Sequence, residues 1–186
     1  MNRVDDPATL HDWAALAAAV DKFAIIELCT RPHWIYDHET WDELDDVFTD
    51  PVSMPTAEQA AEGAFDPKTY LDSYLVSLSD LKGGMAMFKA GLITQHLVAG
   101  HHVALDGDSA VCRAHSINIH FPADNAADDT LLAHGNEYRF DCIRTAAGWR
   151  IRGWAPWVRW SYGNQGSHDA ASKQSAWLES GPADSR

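Results

Sequence analysis

The hydrophobic periods of this chain predict an α+β fold, helices first and strands after. Three observations carry that expectation. Apolar residues recur at helical spacing through the first part of the chain, the period drops to two from Leu92 onward, and Asp106-Gly107-Asp108 between two alternating runs signals a hairpin. Helices followed by hairpin-linked strands predict α+β rather than alternating βαβ units. The expected architecture is a curved antiparallel sheet packed against three N-terminal helices.

The first helix is predicted over residues 11–28, with Trp13, Leu16, Ala17, Val20, Ala24 and Leu28 at helical spacing. Pro32 lacks an amide donor and should bend or break it before Trp34, Ile35, Tyr36 and Asp37 continue one face. Thr40 with Glu43 three residues later reads as a capping box for a second helix carrying Trp41, Leu44, Val47 and Phe48, which Asp50-Pro51 should end. A third helix is expected from Asp66-Pro67 through Tyr70, Leu71, Tyr74, Leu75 and Leu78, with Gly83-Gly84 as a break.

The strands are predicted over 94–105, 109–121, 132–145 and 149–160, the last two joined by a turn at Ala146-Ala147-Gly148. Together these make one domain over residues 1–162. The tail, 163–186, turns to Gly, Ser, Asn and Asp, apart from Ala176-Trp177-Leu178, which could dock a short helix as a lid.

Composition narrows the function classes. Fourteen basic residues against 27 acidic ones give a formal net charge of -13, which argues against nucleic acid or an anionic membrane as partner. Cys29, Cys112 and Cys142 are odd in number and form no C-x-x-C pair, so they are expected reduced and buried. No basic segment leads into an apolar signal core, and the cytoplasm is the expected compartment. His101 and His102 are adjacent on a strand and face opposite ways, and no H-x-x-x-H pair with a supporting acid occurs, so no metal site is expected.

The chemistry-bearing residues fall on shared strand faces. Period-two counting puts His120 with Asn118, Ser116, Ala114 and Cys112, opposite Val111, Ile117 and Ile119. His96 goes with Thr94, Val98 and Gly100 on the preceding strand, and His134, Asn136 and Tyr138 share a face of the following one. An imidazole with an unperturbed pKa of about 6.5 can take a proton α to a carbonyl and return one to a departing hydroxyl at neutral pH. A carboxylate such as Asp37 would fix its tautomer, and the Tyr36 hydroxyl could polarise the carbonyl.

Tyr36-Asp37-His38, Thr94-Gln95-His96, His120 and the Trp-rich run from Trp149 to Trp160 together resemble the scytalone dehydratase family. That family sits in the nuclear transport factor 2-like superfamily with SnoaL-like polyketide cyclases and ketosteroid isomerases. The resemblance covers about residues 18–162, with motifs in the same order and similar spacing. It implies a cone-shaped barrel, no metal or organic cofactor, and acid-base work by His96 and His120, with Asp37 orienting a histidine and Tyr36 beside it.

Trp154, Pro156, Val158 and Trp160 resemble the apolar substrate wall of that family, with a plain core role as the alternative. Asn118 is a further candidate for substrate contact, and a substrate-binding asparagine has its match in Asn136 or, equally, Tyr138. A second tyrosine that positions water in the family falls here near Thr56, so the substrate is expected to differ. The implied activity is a dehydratase acting on a hydrophobic cyclic or polyketide-like molecule. A cyclase or isomerase is the alternative, and a non-catalytic binding or assembly subunit the third. Tryptophans and a broad outer sheet face favour a homodimer or homotrimer.

Overall fold

The computed structural model describes residues 12–56, 59, 71, 74–124, 126 and 128–166. Helix α1 (Asp12–His38) runs uninterrupted through Pro32, where the sequence predicts a bend or break. Proline removes one intrahelical hydrogen bond, but Pro32, Leu28, Cys29 and Ile35 are all buried, and tertiary packing outweighs that loss. The predicted apolar face also shifts. Trp13, Leu16 and Val20 are exposed, and burial begins at Ile25. Asp21 reaches the sheet end, where its carboxylate accepts from Trp149 Nε1 at 3.0 Å and pairs with Arg144. Glu39, in the left-handed region at φ 60°, ends α1, and the Thr40 amide returns to the Ile35 carbonyl at 3.2 Å.

The second predicted helix is a single 3-10 segment, Trp41–Asp46, and Thr40 makes no side-chain cap. Leu44 and Val47 are fully buried, but Phe48 opens strand β1 (Phe48–Ser53), so Asp50-Pro51 lies inside a strand rather than ending a helix. Asp50 Oδ1 instead accepts the Leu78 amide at 3.1 Å.

The third helix is displaced as well. Asp66, Pro67 and Tyr70 lie outside the described residues, Leu75–Val76 forms β2, and helix α2 is Leu78–Lys89, running through Gly83-Gly84. The Ser77 hydroxyl accepts the Asp80 amide at 3.1 Å as its N-cap, and Leu78, Leu81 and Met85 are buried. Those terms outweigh the two glycines, which cost about 1 kcal/mol each.

Strands β3 (Leu92–Asp106), β4 (Ser109–Pro122), β5 (Leu132–Thr145) and β6 (Gly148–Gly163) form an antiparallel run, and the full sheet order is β2-β1-β6-β5-β4-β3. One pair departs from the antiparallel expectation: β1 lies parallel to β6 through Phe48↔Ile151. The cone is left open, with β2 and β3 at its edges and α1 in its concavity.

Bulges curve the sheet and reset which side chains face inward. In β3 the register shifts between Ala99 and His102 around Gly100, whose φ of 66° suits glycine. Thr94, His96 and Val98 face in before the shift, and Val103 and Leu105 after it, so Gly100 does not continue the His96 row. In β6 the register shifts opposite Gly135/Asn136, so Asn136 faces Val158 while Gly135 faces Trp160.

The core joins Ile25, Leu28, Cys29 and Ile35 of α1 to Cys112, Phe140, Cys142 and Ile151 of the sheet. All three cysteines are free and buried, and the Cys29 and Cys142 sulfurs stand 3.8 Å apart. No helix among the described residues is long and apolar enough to cross a membrane.

Candidate active site

Asp37 sits in the last turn of α1 and reaches β3. Its Oδ1 accepts from Thr94 Oγ1 at 2.7 Å and from His96 Nδ1 at 2.6 Å, and its Oδ2 accepts the His96 amide at 2.8 Å. Burial alone would raise the carboxyl, but the His96 ring, Thr94 and the His96 amide outweigh it and hold Asp37 below the usual 3.8. An ionised carboxylate only accepts, so Nδ1 carries the proton of this bond, and in the neutral ring Nε2 is the acceptor.

His96 borders a cavity of about 280 Å³. Pro32, His33 and Tyr36 of α1 and Met85 and Phe88 of α2 form one wall. Asn118, His120, His134, Tyr138, Trp154 and Pro156 of the sheet form the other. No Lys, Arg, Asp or Glu is among these described lining residues. Four imidazoles cross it: the His96 ring lies 5.5 Å from that of His33 and 5.7 Å from that of His120, which lies 5.7 Å from His134. The Tyr36 ring meets His96 edge-on at 5.3 Å, and burial, reinforced by Tyr138 and Asp37, pushes its phenol up, so it remains a donor.

Behind the cavity a buried network holds the sheet groups in place. Ser116 Oγ donates to Asn118 Oδ1 at 2.6 Å, Asn118 Nδ2 to the Tyr138 hydroxyl at 3.1 Å, and Asn136 Nδ2 to Ser116 Oγ at 3.4 Å. Asn118 and Tyr138 border the cavity, whereas Asn136 stands behind them without lining it.

The Trp-rich strand divides. Trp154 and Pro156 line the cavity. Val158 is 52% exposed and does not line it, and Trp160 lies against Gly135, Leu97 and Ile117 on the outer face. Strict alternation predicts Trp160 inside; the bulge reverses its side and brings Ser161 in instead, where its hydroxyl meets His134 Nδ1 at 2.8 Å. Gly135 is required there, since a Cβ at that position would fall 2.0 Å from the Trp160 ring. Thr56 exchanges hydrogen bonds with Gln59 and does not line the cavity.

His33 is the residue that sequence reasoning missed. It is 4% exposed with both ring nitrogens buried, and the Cys29 backbone one turn earlier is the hydrogen-bonding group that acts on the ring. Burial, with His96 adding to it, lowers its pKa to about 3, so the ring is neutral. The signal was its place one turn before Asp37 and three residues before Tyr36, which puts all three on neighbouring helix positions. Among the described residues no group of three or more His, Cys, Asp or Glu is placed to hold a metal ion.

Residues 17–155 match the SnoaL-like domain family. The chain belongs to that family. Among solved structures, a protein of Kribbella flavida is similar to this SnoaL-like chain at 29% identity and TM-score 0.65, covering 81% of this chain and 97% of its own. A protein described as a putative scytalone dehydratase from Novosphingobium aromaticivorans shares the fold at 11% identity and TM-score 0.62, over 80% of this chain and 90% of its own. A hexachlorocyclohexane dehydrochlorinase shares it at 12% identity and TM-score 0.58, over 83% and 94%. No curated protein matches in sequence. SnoaL-like and nuclear transport factor 2-like proteins include dehydratases, isomerases and cyclases.

Proposed function

We propose that this SnoaL-like protein is a cofactor-independent acid-base enzyme that removes water from a hydrophobic, uncharged cyclic or polyketide-like molecule. The observation that carries the proposal is the Asp37–His96 pair at 2.6 Å, which commits Nδ1 to the carboxylate and leaves Nε2 to act on a ligand in the cavity. Nε2 takes the proton α to a carbonyl, and the freed electron pair forms an enolate. His120, 5.7 Å from His96 by ring centres, supplies a proton as the carbon–oxygen bond breaks, and the hydroxyl leaves as water. Tyr36 donates to the carbonyl oxygen. Asn118 and Tyr138 hold the ring plane, against Trp154 and Pro156.

The lack of a charged lining side chain among the described residues favours an uncharged substrate, since a buried carboxylate or phosphate would need a partner. Association into a homodimer or homotrimer belongs to the same proposal, supported by Trp13, Phe23 and Trp34, each more than 60% exposed on α1. Deuterium exchange α to the carbonyl of 2-tetralone, followed by NMR, tests the first step. Wild type should catalyse it and His96→Asn should lose about 10³- to 10⁴-fold with an unchanged melting temperature; exchange at the wild-type rate in the variant overturns the assignment.

A further inference from the structure

We infer that the exposed face of α1 is a helix-pairing seam whose partner is the same helix of a second copy, laid antiparallel across a two-fold axis. The inference rests on the association put forward above, fixes it as a dimer, and stands apart from the enolisation reading. Spacing is the first observation. Trp13, Leu16, Val20, Phe23, Glu27, Thr30 and Trp34 follow one another at alternating steps of three and four, which keeps one stripe of a helix facing another helix over three heptads. That stripe lies opposite the side on which Ile25, Leu28, Cys29 and Ile35 are buried.

Exposure is the second. Trp13, Leu16, Val20, Phe23 and Trp34 are large and apolar, and each is more than half exposed. Covering them would remove roughly 600 Å² of apolar surface from water on each copy, close to the about 800 Å² that each side of a stable interface contributes. Ala19 and Ile26 flank the stripe and let a second backbone approach.

The seam is also complementary to itself. Its second half holds a recess of about 380 Å³ lined by Phe23, Ile26, Glu27, Thr30, Arg31 and Trp34. The first half carries the knobs, Trp13 and Leu16. With the axis passing beside Asp21 and Lys22, Val20 of one copy faces Phe23 of the other, and Trp13 and Leu16 of each enter the recess of the other, an isologous contact that closes on itself. The recess walls are fixed in advance: the Trp34 ring stacks on His38 at 4.0 Å, and the Thr30 hydroxyl donates to the Ile26 carbonyl at 2.8 Å. Charge selects the direction. A parallel pair would put the two Glu27 carboxylates side by side, whereas the antiparallel pair parts them by about 16 Å along the helices.

The outer sheet face exposes Leu97, Ile117 and Trp160 as well, but it suits a second copy less. Arg113 and Arg159 both lean on Glu137 there, so two such faces brought together would gather a surplus of guanidinium groups.

Sedimentation equilibrium reads the pairing, and disulfide cross-linking reads its direction. Wild type should be a dimer at about 10 µM, and Leu16→Glu with Phe23→Glu should raise the dissociation constant by at least about 30-fold with unchanged helix content. Trp13→Ala with Trp34→Ala gives the same reading by truncation. Under oxidation, Leu16→Cys with Glu27→Cys should give a covalent dimer and Glu27→Cys alone should not. A monomeric wild type overturns the seam together with the association. A trimer, or a dimer that survives the α1 substitutions and dissociates with Trp160→Ser, overturns the seam and leaves association standing, and cross-linking by Glu27→Cys alone overturns the antiparallel pairing.

Discussion

On β4 and β5, Cys112 pairs with Phe140 and Ala110 with Cys142 at one end of the concave sheet face, while Asn118 pairs with His134 and Ser116 with Asn136 at the other. The same helix covers both ends. Over the first, Ile25, Leu28 and Cys29 of α1 close a dry core; over the second, His33, Tyr36 and Asp37 face histidines. The apolar end can be filled by side chains because nothing there needs a hydrogen bond. At the polar end each group must find a partner, and the Asp37 cluster and the Ser116–Asn118–Tyr138 network meet that demand. The apolar end therefore anchors α1, and the anchored helix holds His33, Tyr36 and Asp37 against the sheet histidines at the polar end.

Four perturbations should separate the two ends. Phe140→Ala, at a fully buried core position, should cost about 3–5 kcal/mol of unfolding free energy in urea, with the surviving folded fraction still active. A loss below about 1 kcal/mol would show that this end is not the anchor. Asp37→Asn keeps the shape but removes the charge that fixes the His96 tautomer, and should lower turnover by about 10- to 100-fold while the melting temperature moves by a few degrees only.

Acid should act through the polar end. His33 has a folded pKa of about 3 against an ordinary 6.5, so between those values the unfolded chain binds a proton that the folded one does not. Its contribution is fully present above about 6.5 and falls by about 1.4 kcal/mol for each pH unit below, until about 3. Asp37, whose folded pKa is also depressed, is a stabilising group above its ordinary 3.8 and loses that contribution as pH falls through its folded value. Urea titrations at stepped pH should show the slope between pH 6.5 and 4, and His33→Leu should flatten it. Trp160→Ser, on the outer face, should change turnover by less than about twofold; a larger loss would put Trp160 back among the substrate contacts.

Much of the site was legible because strand parity is local. A residue two positions along a regular strand faces the same way, so His96 with Thr94, and His120 with Asn118, follow from counting alone. Counting failed at the bulges: one extra residue in β6 exchanged Trp160 for Ser161, and Gly100 in β3 ended the His96 row. Helix prediction failed where packing opposed propensity. Pro32 and the pair Gly83-Gly84 sit inside helices because buried neighbours outweigh a missing donor and lost backbone entropy. The proposed Asp66-Pro67 helix, and Ala176-Trp177-Leu178 in the tail, lie outside the described residues.

By itself, then, the sequence determined the α+β class, the hairpin at Asp106-Gly107-Asp108 and the strand faces that His96 shares with Thr94 and His120 with Asn118, because periodicity and turn chemistry act over a few residues; the link from Tyr36-Asp37 to strand histidines came from the family resemblance. Only the tertiary structure decided that Asp37 binds His96 through Nδ1, that Trp160 faces out, and that His33 sits buried beside His96. Those outcomes depend on where α1 lies across a bulged sheet, and that position is set by contacts between residues more than a hundred positions apart, such as Cys29 with Cys142 and Asp21 with Trp149.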